Sequence, residues 1–182
     1  MSMRASRPWT IEDFAEWEAR QPERYEFVDG VARMMVGGTN AHSKLKGNLF
    51  RALDRALAGR NCDVFVEGPK VVTADALTYP DVVVTCGPVD LRDDRIAEPL
   101  VLVEVLSRST SDYDRGSKWL AYQTIPSLRH YLMVAQDSRR VDVHSRAGED
   151  WILHTVLGDG DVELSAIDRR LSMADIYEGL PC

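Results

Sequence analysis

Residues 78–107, TYPDVVVTCGPVDLRDDRIAEPLVLVEVLS, contain two nearly unbroken apolar runs, Val82-Val83-Val84 and Leu100 to Leu106. Runs without polar alternation predict strands covered on both faces, as in the centre of a sheet with helices packed on it. Each run carries a carboxylate. Asp81 opens the first and Glu104 lies inside the second. Burying an ionised carboxylate without a partner is expensive, so these acids require a salt bridge, a shifted pKa or a metal ion.

The flanking segments supply the other elements. Thr10 with Asp13 marks a helix start before IEDFAEWEAR, with Pro22 beyond its end. ERYEFVDG and VARMMVG read as two strands joined by a tight Asp29-Gly30 turn, a small outer β-ribbon. Asn40 is placed to cap a helix whose apolar positions Leu45, Leu49, Ala52, Leu53, Ala56 and Leu57 keep helical spacing. Strands follow at 62–66 and 69–73, then the two apolar runs, then a helix from Ser111 to Gln123. RHYLMVA, RRVDVHSR, WILHTVLG and VELSAI close the chain as strands, before a short helix capped by Ser172. The order predicts an α/β sandwich: a mixed β-sheet core flanked by helices, with an N-terminal β-ribbon and extra C-terminal strands. Residues 1–9 read as an N-terminal extension and 10–182 as a single domain.

A chain of 182 residues with 45% hydrophobic content suits one core. A net charge of −7 argues against a general polyanion binder, so any nucleic-acid role needs a local basic face. Cys62, Cys86 and Cys182 are too few and scattered for a disulfide framework or a zinc site, which points to a reducing, cytoplasmic setting. No stretch is long enough to span a bilayer, so no membrane is expected.

If the two runs form a hairpin turning within Gly87–Glu98, Asp81 and Glu104 lie equidistant from the turn. They are then cross-strand neighbours with Cβ atoms about 5 Å apart. Two carboxylates that close repel, which raises one pKa, and neutralising either is expected to relieve strain. A divalent cation such as Mg²⁺ (or Mn²⁺), which takes one or two carboxylates plus waters, resolves the repulsion. Lys118 lies roughly 10 Å down the following helix, level with Glu104 on its strand, and Asp114 falls one turn earlier on the same face. Acids and lysine together suit metal-assisted attack of water on a phosphodiester. Gly116 within this helix suggests close approach by a neighbour or ligand.

These motifs carry a resemblance. Pro80-Asp81, Glu104-Val105-Leu106, Ser109-Thr110 and Asp114-Arg115-Gly116-Ser117-Lys118, with Tyr25-Glu26-Phe27-Val28-Asp29-Gly30 upstream, resemble the bacterial "putative restriction endonuclease" family of the PD-(D/E)XK nuclease superfamily. The resemblance covers roughly residues 10–180. It implies a four-stranded mixed core, with Asp81, Glu104 and the main-chain carbonyl of Val105 as Mg²⁺ ligands and DNA as substrate. The superfamily's lysine would stand at position 106. Here Leu106 occupies it, and Lys118 takes over the role of orienting the attacking water or stabilising charge on phosphorus. Val31 and Ser117 also depart from the pattern, where relatives carry acids.

Each residue has a plainer reading. Asp81 can cap loop amides, and Glu104 can pair with Lys118 or Arg115 without metal. His42 is a core or capping histidine before it is a phosphate contact or proton shuttle. Lys44, Lys46, Arg51, Arg55 and Arg60 give the second helix a basic outer face, either merely solvated or a DNA-backbone surface, with Arg115 a further contact. Trp119 and Tyr122 are core anchors before they are base-stacking residues. The leading expectation is a Mg²⁺-dependent endonuclease acting on DNA as a homodimer. The alternative is an inactive nuclease-fold module that binds nucleic acid or a protein partner.

Overall fold

In the computed structural model, which describes residues 2–3, 9–107 and 111–181, thirteen strands form two larger sheets and one small ribbon. In chain order the first half comprises β1 (Ser2–Met3), α1 (Ile11–Glu18), β2 (Tyr25–Val28), β3 (Val31–Met34), α2 (Asn40–Leu57), β4 (Asp63–Val66), β5 (Val71–Val72), β6 (Ala76–Thr78) and β7 (Val82–Thr85). The second half comprises β8 (Val101–Val105), α3 (Ser111–Tyr113), a π-helical turn (Asp114–Lys118), α4 (Trp119–Gln123), β9 (His130–Val134), β10 (Arg140–Ala147), β11 (Asp150–Leu157), β12 (Asp161–Leu164), β13 (Arg169–Ser172) and α5 (Met173–Ile176).

The central sheet has the order β11-β10-β9-β8-β7-β4 and is mixed, because β8 and β9 run parallel while its other neighbours are antiparallel. Its neighbouring inner strands β7 and β8 explain the apolar runs. Val82, Val84, Val101, Val103 and Val105 face one core, against Leu45, Leu49, Leu53 and Leu57 of α2. Val83 and Leu102 face a second core, with Tyr122, Ile125, Leu128 and Tyr131. Side chains alternate across a strand, so both parities must be apolar when both faces are covered.

The expected outer ribbon is larger than two strands. β2 and β3 join through Asp29 and Gly30, both at positive φ (53° and 71°), as a two-residue hairpin of this kind requires. They belong to a five-stranded sheet, β1-β3-β2-β6-β5, packed on α1 through Phe14, Phe27 and Leu77. β6 carried too few residues to stand out by pattern. Residues Tyr79 to Asp81 link it to β7, so the two sheets meet at Asp81.

Caps follow the local chemistry. Thr10 and Asp13 form the capping box, and Ser172 accepts from the Asp175 N–H. The cap of α2 is Thr39 rather than Asn40: its hydroxyl accepts from the His42 N–H at 3.1 Å. Two expectations change more. Cys62 and Cys86 are joined by a disulfide across β4 and β7, one step beyond the Asp63–Thr85 pair, so the cysteines are not a set of free thiols. Only cross-strand register, which spacing does not reveal, brings them together. A Cβ built on Gly116 meets nothing within 4 Å, so no neighbour presses on it; the glycine lies instead in the π-helical turn that interrupts the expected helix. Among the described residues no helix is long and apolar enough to cross a membrane. Ser109 and Thr110 of the family pattern lie outside the described residues.

Candidate active site

The pairing Val82↔Val103, Val83↔Leu102 and Val84↔Val101, continued by one residue, sets Asp81 opposite Glu104, the register expected from the turn. Their surroundings differ. Asp81 Oδ2 accepts from the Val105 N–H at 2.7 Å and lies 3.2 Å from His42 Nε2, while Oδ1 lies 3.7 Å from Lys46 Nζ. His42 and Lys46 are one helical turn apart on α2, so a single helix face contacts both oxygens of the carboxylate. Burial opposes ionisation of Asp81, but the His42 bond, the Val105 N–H and Lys46 outweigh it and hold the carboxyl below its ordinary range.

Glu104 is buried on the opposite face of the sheet from α2, towards α4. Its Oε1 accepts from Lys118 Nζ at 3.0 Å and from the Tyr122 hydroxyl at 2.9 Å. Here burial dominates. Lys118 favours the charged form, but Asp114, Asp81 and Glu26 add negative charge, and the carboxyl is raised well above its ordinary range. Of the pair, Glu104 is therefore the acid pushed up, while Asp81 is held down. Asp81 is well buttressed, so neutralising it removes favourable bonds rather than relieving strain.

Lys118 is enclosed by three carboxylates: Glu26 at 2.8 Å, Glu104 at 3.0 Å and Asp114 at 3.5 Å. Burial works against the ammonium, yet Glu104 and Glu26 raise its pKa well above the usual lysine value. Asp114 reaches it at i,i+4, the expected pairing, although the span between them is the π-helical turn. Glu26 and Tyr122 also belong to the site, although the sequence marked Glu26 only as part of the Tyr25–Gly30 motif and Tyr122 only as a core anchor. Glu26 lies in β2 of the other sheet, where it also accepts from the Tyr79 N–H at 2.9 Å. Its one signal was an acid on the same strand face as Val28, which is buried too. Tyr122 was recognisable as the i+4 neighbour of Lys118.

The other predicted contacts separate into two groups. Lys44 and Arg55 are exposed on α2, and among the described residues no carboxylate pairs with either. Arg51 is bonded to Glu178 at 2.7 Å and Arg60 lies 3.7 Å from Asp168, so the basic face is partly neutralised. Lys46, expected on that face, is buried and turned to Asp81 and Glu67. Arg115 bonds Asp142 at 2.7 Å. Trp119 stacks on Tyr131 and His144 as a core anchor. His42 Nδ1 is buried with no hydrogen-bond partner among the described residues, and a Cβ on Gly38 would stand 2.7 Å from it, so only glycine fits beside this ring.

Among the described residues no group of three or more His, Cys, Asp or Glu side chains is arranged to hold a metal ion. Asp81 and Glu104 nevertheless fit a hard cation that takes few protein ligands. The Lys118 and Tyr122 hydrogen bonds of Glu104 both fall on Oε1, and among the described residues Asp81 Oδ1 has the longer Lys46 contact alone.

Comparison with known proteins bears on the family and the fold. The chain is 35% identical over 173 residues to the uncharacterized protein slr1290 of Synechocystis sp., covering 93% of this chain and 91% of that protein. It is 28% identical over 163 residues to sll1609 of the same organism, covering 86% and 92%. The crystal structure of "a putative nuclease belonging to DUF820" from Anabaena variabilis superposes with a TM-score of 0.78 at 17% identity, over 93% of this chain and 98% of that one, and so shares its fold. The family model Uma2, described as "Putative restriction endonuclease", matches residues 11–173, and the chain belongs to that family.

Proposed function

We propose that this protein is a Mg²⁺-dependent endonuclease that hydrolyses DNA phosphodiester bonds. One observation carries the reading: Glu26, Asp81, Glu104 and Asp114 converge where the two sheets meet, against two buried lysines, Lys46 and Lys118. Such an excess of negative charge suits a divalent cation. Asp81, Glu104 and the main-chain carbonyl of Val105 would hold Mg²⁺ or Mn²⁺. A bound cation would polarise a phosphoryl oxygen and activate water.

The chain's own groups prepare for that chemistry. His42, Lys46 and the Val105 N–H keep Asp81 ionised and fixed in place. Lys118 and Tyr122 anchor Glu104 through Oε1, which orients its carboxylate, and Asp114 and Glu26 position Lys118 in turn. Lys44 and Arg55 offer charge to the DNA backbone. A homodimer with a two-fold axis would present two such sites to the two strands of a duplex.

A second reading, a non-cleaving module that binds nucleic acid or a protein partner, draws on the neutralisation of Lys118 by three carboxylates. Calorimetric titration with Mg²⁺ beside cleavage of supercoiled plasmid separates the two. Wild type is expected to bind Mg²⁺ and nick the plasmid, and Asp81→Asn to lose both. No Mg²⁺ binding and no cleavage by wild type would leave the binding module.

A further inference from the structure

The site contains two buried lysines, and their partners suit different tasks. Lys118 is walled in by three buried carboxylates carried on β2, β8 and its own helix. Lys46 has a side chain only 9% exposed, yet one of its two carboxylate partners, Glu67, has a side chain 59% exposed. The other partner, Asp81, is fixed by the Val105 N–H and His42. Lys46 thus stands between an anchored acid and one at the surface.

Glu67 is unusual in its backbone as well. It is one of three non-glycine residues at positive φ among the described residues, at 47°. It follows the last residue of β4 and precedes Gly68-Pro69, and its N–H donates to the Asp81 carbonyl at 3.3 Å. Side chains rarely adopt this conformation unless surrounding contacts impose it. The contacts here fasten the Glu67 backbone to the strand that carries Asp81, while its carboxylate reaches Lys46 from the solvent side.

Resting on the reading of this site as one that binds phosphodiesters, we propose that Lys46 is its phosphate-contacting cation and that Glu67 is a built-in placeholder, occupying the ammonium until a substrate phosphate displaces it. An exposed carboxylate gives up its ion pair easily, because water solvates it on leaving. Lys118 has no such exchange open to it: drawing it away would strand buried acids. Glu67 moreover keeps the Lys46 ammonium paired in the absence of substrate, where an unpaired buried cation would be unfavourable. Phosphate takes the place of one carboxylate and makes the same type of charge-assisted hydrogen bond.

The probe is inorganic phosphate, titrated by calorimetry at constant ionic strength into wild type, Glu67→Gln, Lys46→Met and the double variant. Removing the placeholder is expected to tighten phosphate binding about three- to fivefold. Lys46→Met is expected to abolish binding in either background, while Lys46→Arg retains it. Glu67 is exposed, so Glu67→Gln carries the test even where Lys46→Met fails to fold. Equal affinity of wild type and Glu67→Gln overturns the proposal, as does a gain that survives Lys46→Met. Plasmid cleavage is run beside it as a separate readout. Phosphate binding in the expected pattern without cleavage keeps the placeholder and removes the nuclease; cleavage without that pattern does the reverse.

Discussion

Asp81 and Glu104 face each other across one pair of strands, yet the protein treats them in opposite ways. Asp81 stands at the sheet's end, where a helix face, a backbone N–H and a lysine all favour its charge. Glu104 lies within a strand, deeper in the core, where burial and three nearby acids oppose ionisation despite Lys118. Sequence distance from the turn is the same for both. What separates them is how many donors reach each carboxylate, so the charge state of an acid in an apolar run is set by its neighbours rather than by the run.

The sharpest way to break the comparison is to remove the cation on the Glu104 side. Lys118→Met leaves Glu26, Glu104 and Asp114 buried together and is expected to cost about 3–5 kcal/mol of unfolding free energy. A urea titration checks this, and a loss under about 1 kcal/mol would show that the three acids are solvated or protonated without penalty.

The two acids themselves give the next contrast. Asp81→Asn weakens the contacts with His42 and Lys46 and is expected to cost about 1–3 kcal/mol. Glu104→Gln removes a carboxylate that burial disfavours, and leaves Lys118 with Glu26 and Asp114, so its cost should stay below about 1 kcal/mol. The pH dependence has opposite signs. Asp81 is depressed in the folded state, so its contribution is present above the unfolded carboxyl pKa and is lost as pH falls through and below it. Glu104 is raised, so its contribution is present below its unfolded pKa and is lost as pH rises towards the folded value. Urea melts from pH 3 to 9 should therefore show the acid-side loss flattened in Asp81→Asn and the loss above about pH 4.5 flattened in Glu104→Gln. Identical profiles for the two variants would contradict the split.

The smallest effect concerns the outer face of α2. Lys44→Glu and Arg55→Glu should each lower the salt slope of DNA binding by about 0.9, whereas Arg51→Glu, already paired to Glu178, should change it less. Fluorescence anisotropy of a labelled duplex at several salt concentrations measures the slopes. Equal changes for all three would mean that the Glu178 pair opens on binding.

Much of this arrangement was legible because it follows from period and symmetry. The register of the acid pair follows from a hairpin's geometry, the buried face of α2 from 3.6-residue spacing, and the Asp114–Lys118 contact from i,i+4. What escaped depends on contacts between distant segments. Glu26 reaches Lys118 from another sheet, Cys62 meets Cys86 through a strand register, and Lys46 turns inward although its neighbours Lys44 and Arg51 face solvent. No spacing along the chain distinguishes a lysine on a basic stripe from one that points at a buried acid. Leu45 and Leu49 flank Lys46 on the apolar side, and its inward position was recoverable only by placing it at the edge of that face.

The π-helical turn at Asp114–Lys118 sets the rotational phase of the helix that follows it. A π-turn is an α-helix with one residue inserted, and every side chain beyond it is rotated relative to those before it. Asp114 lies at its start, Lys118 at its end and Tyr122 one turn later, and all three meet around Glu104. A relative that lost the inserted residue would keep its helix and its residue types, yet aim Tyr122 away from the acid. In this part of the chain a gap of one position in a sequence comparison is therefore a change of chemistry, while a substitution at Gly116, whose Cβ would meet open space, is a change of little more than helix propensity.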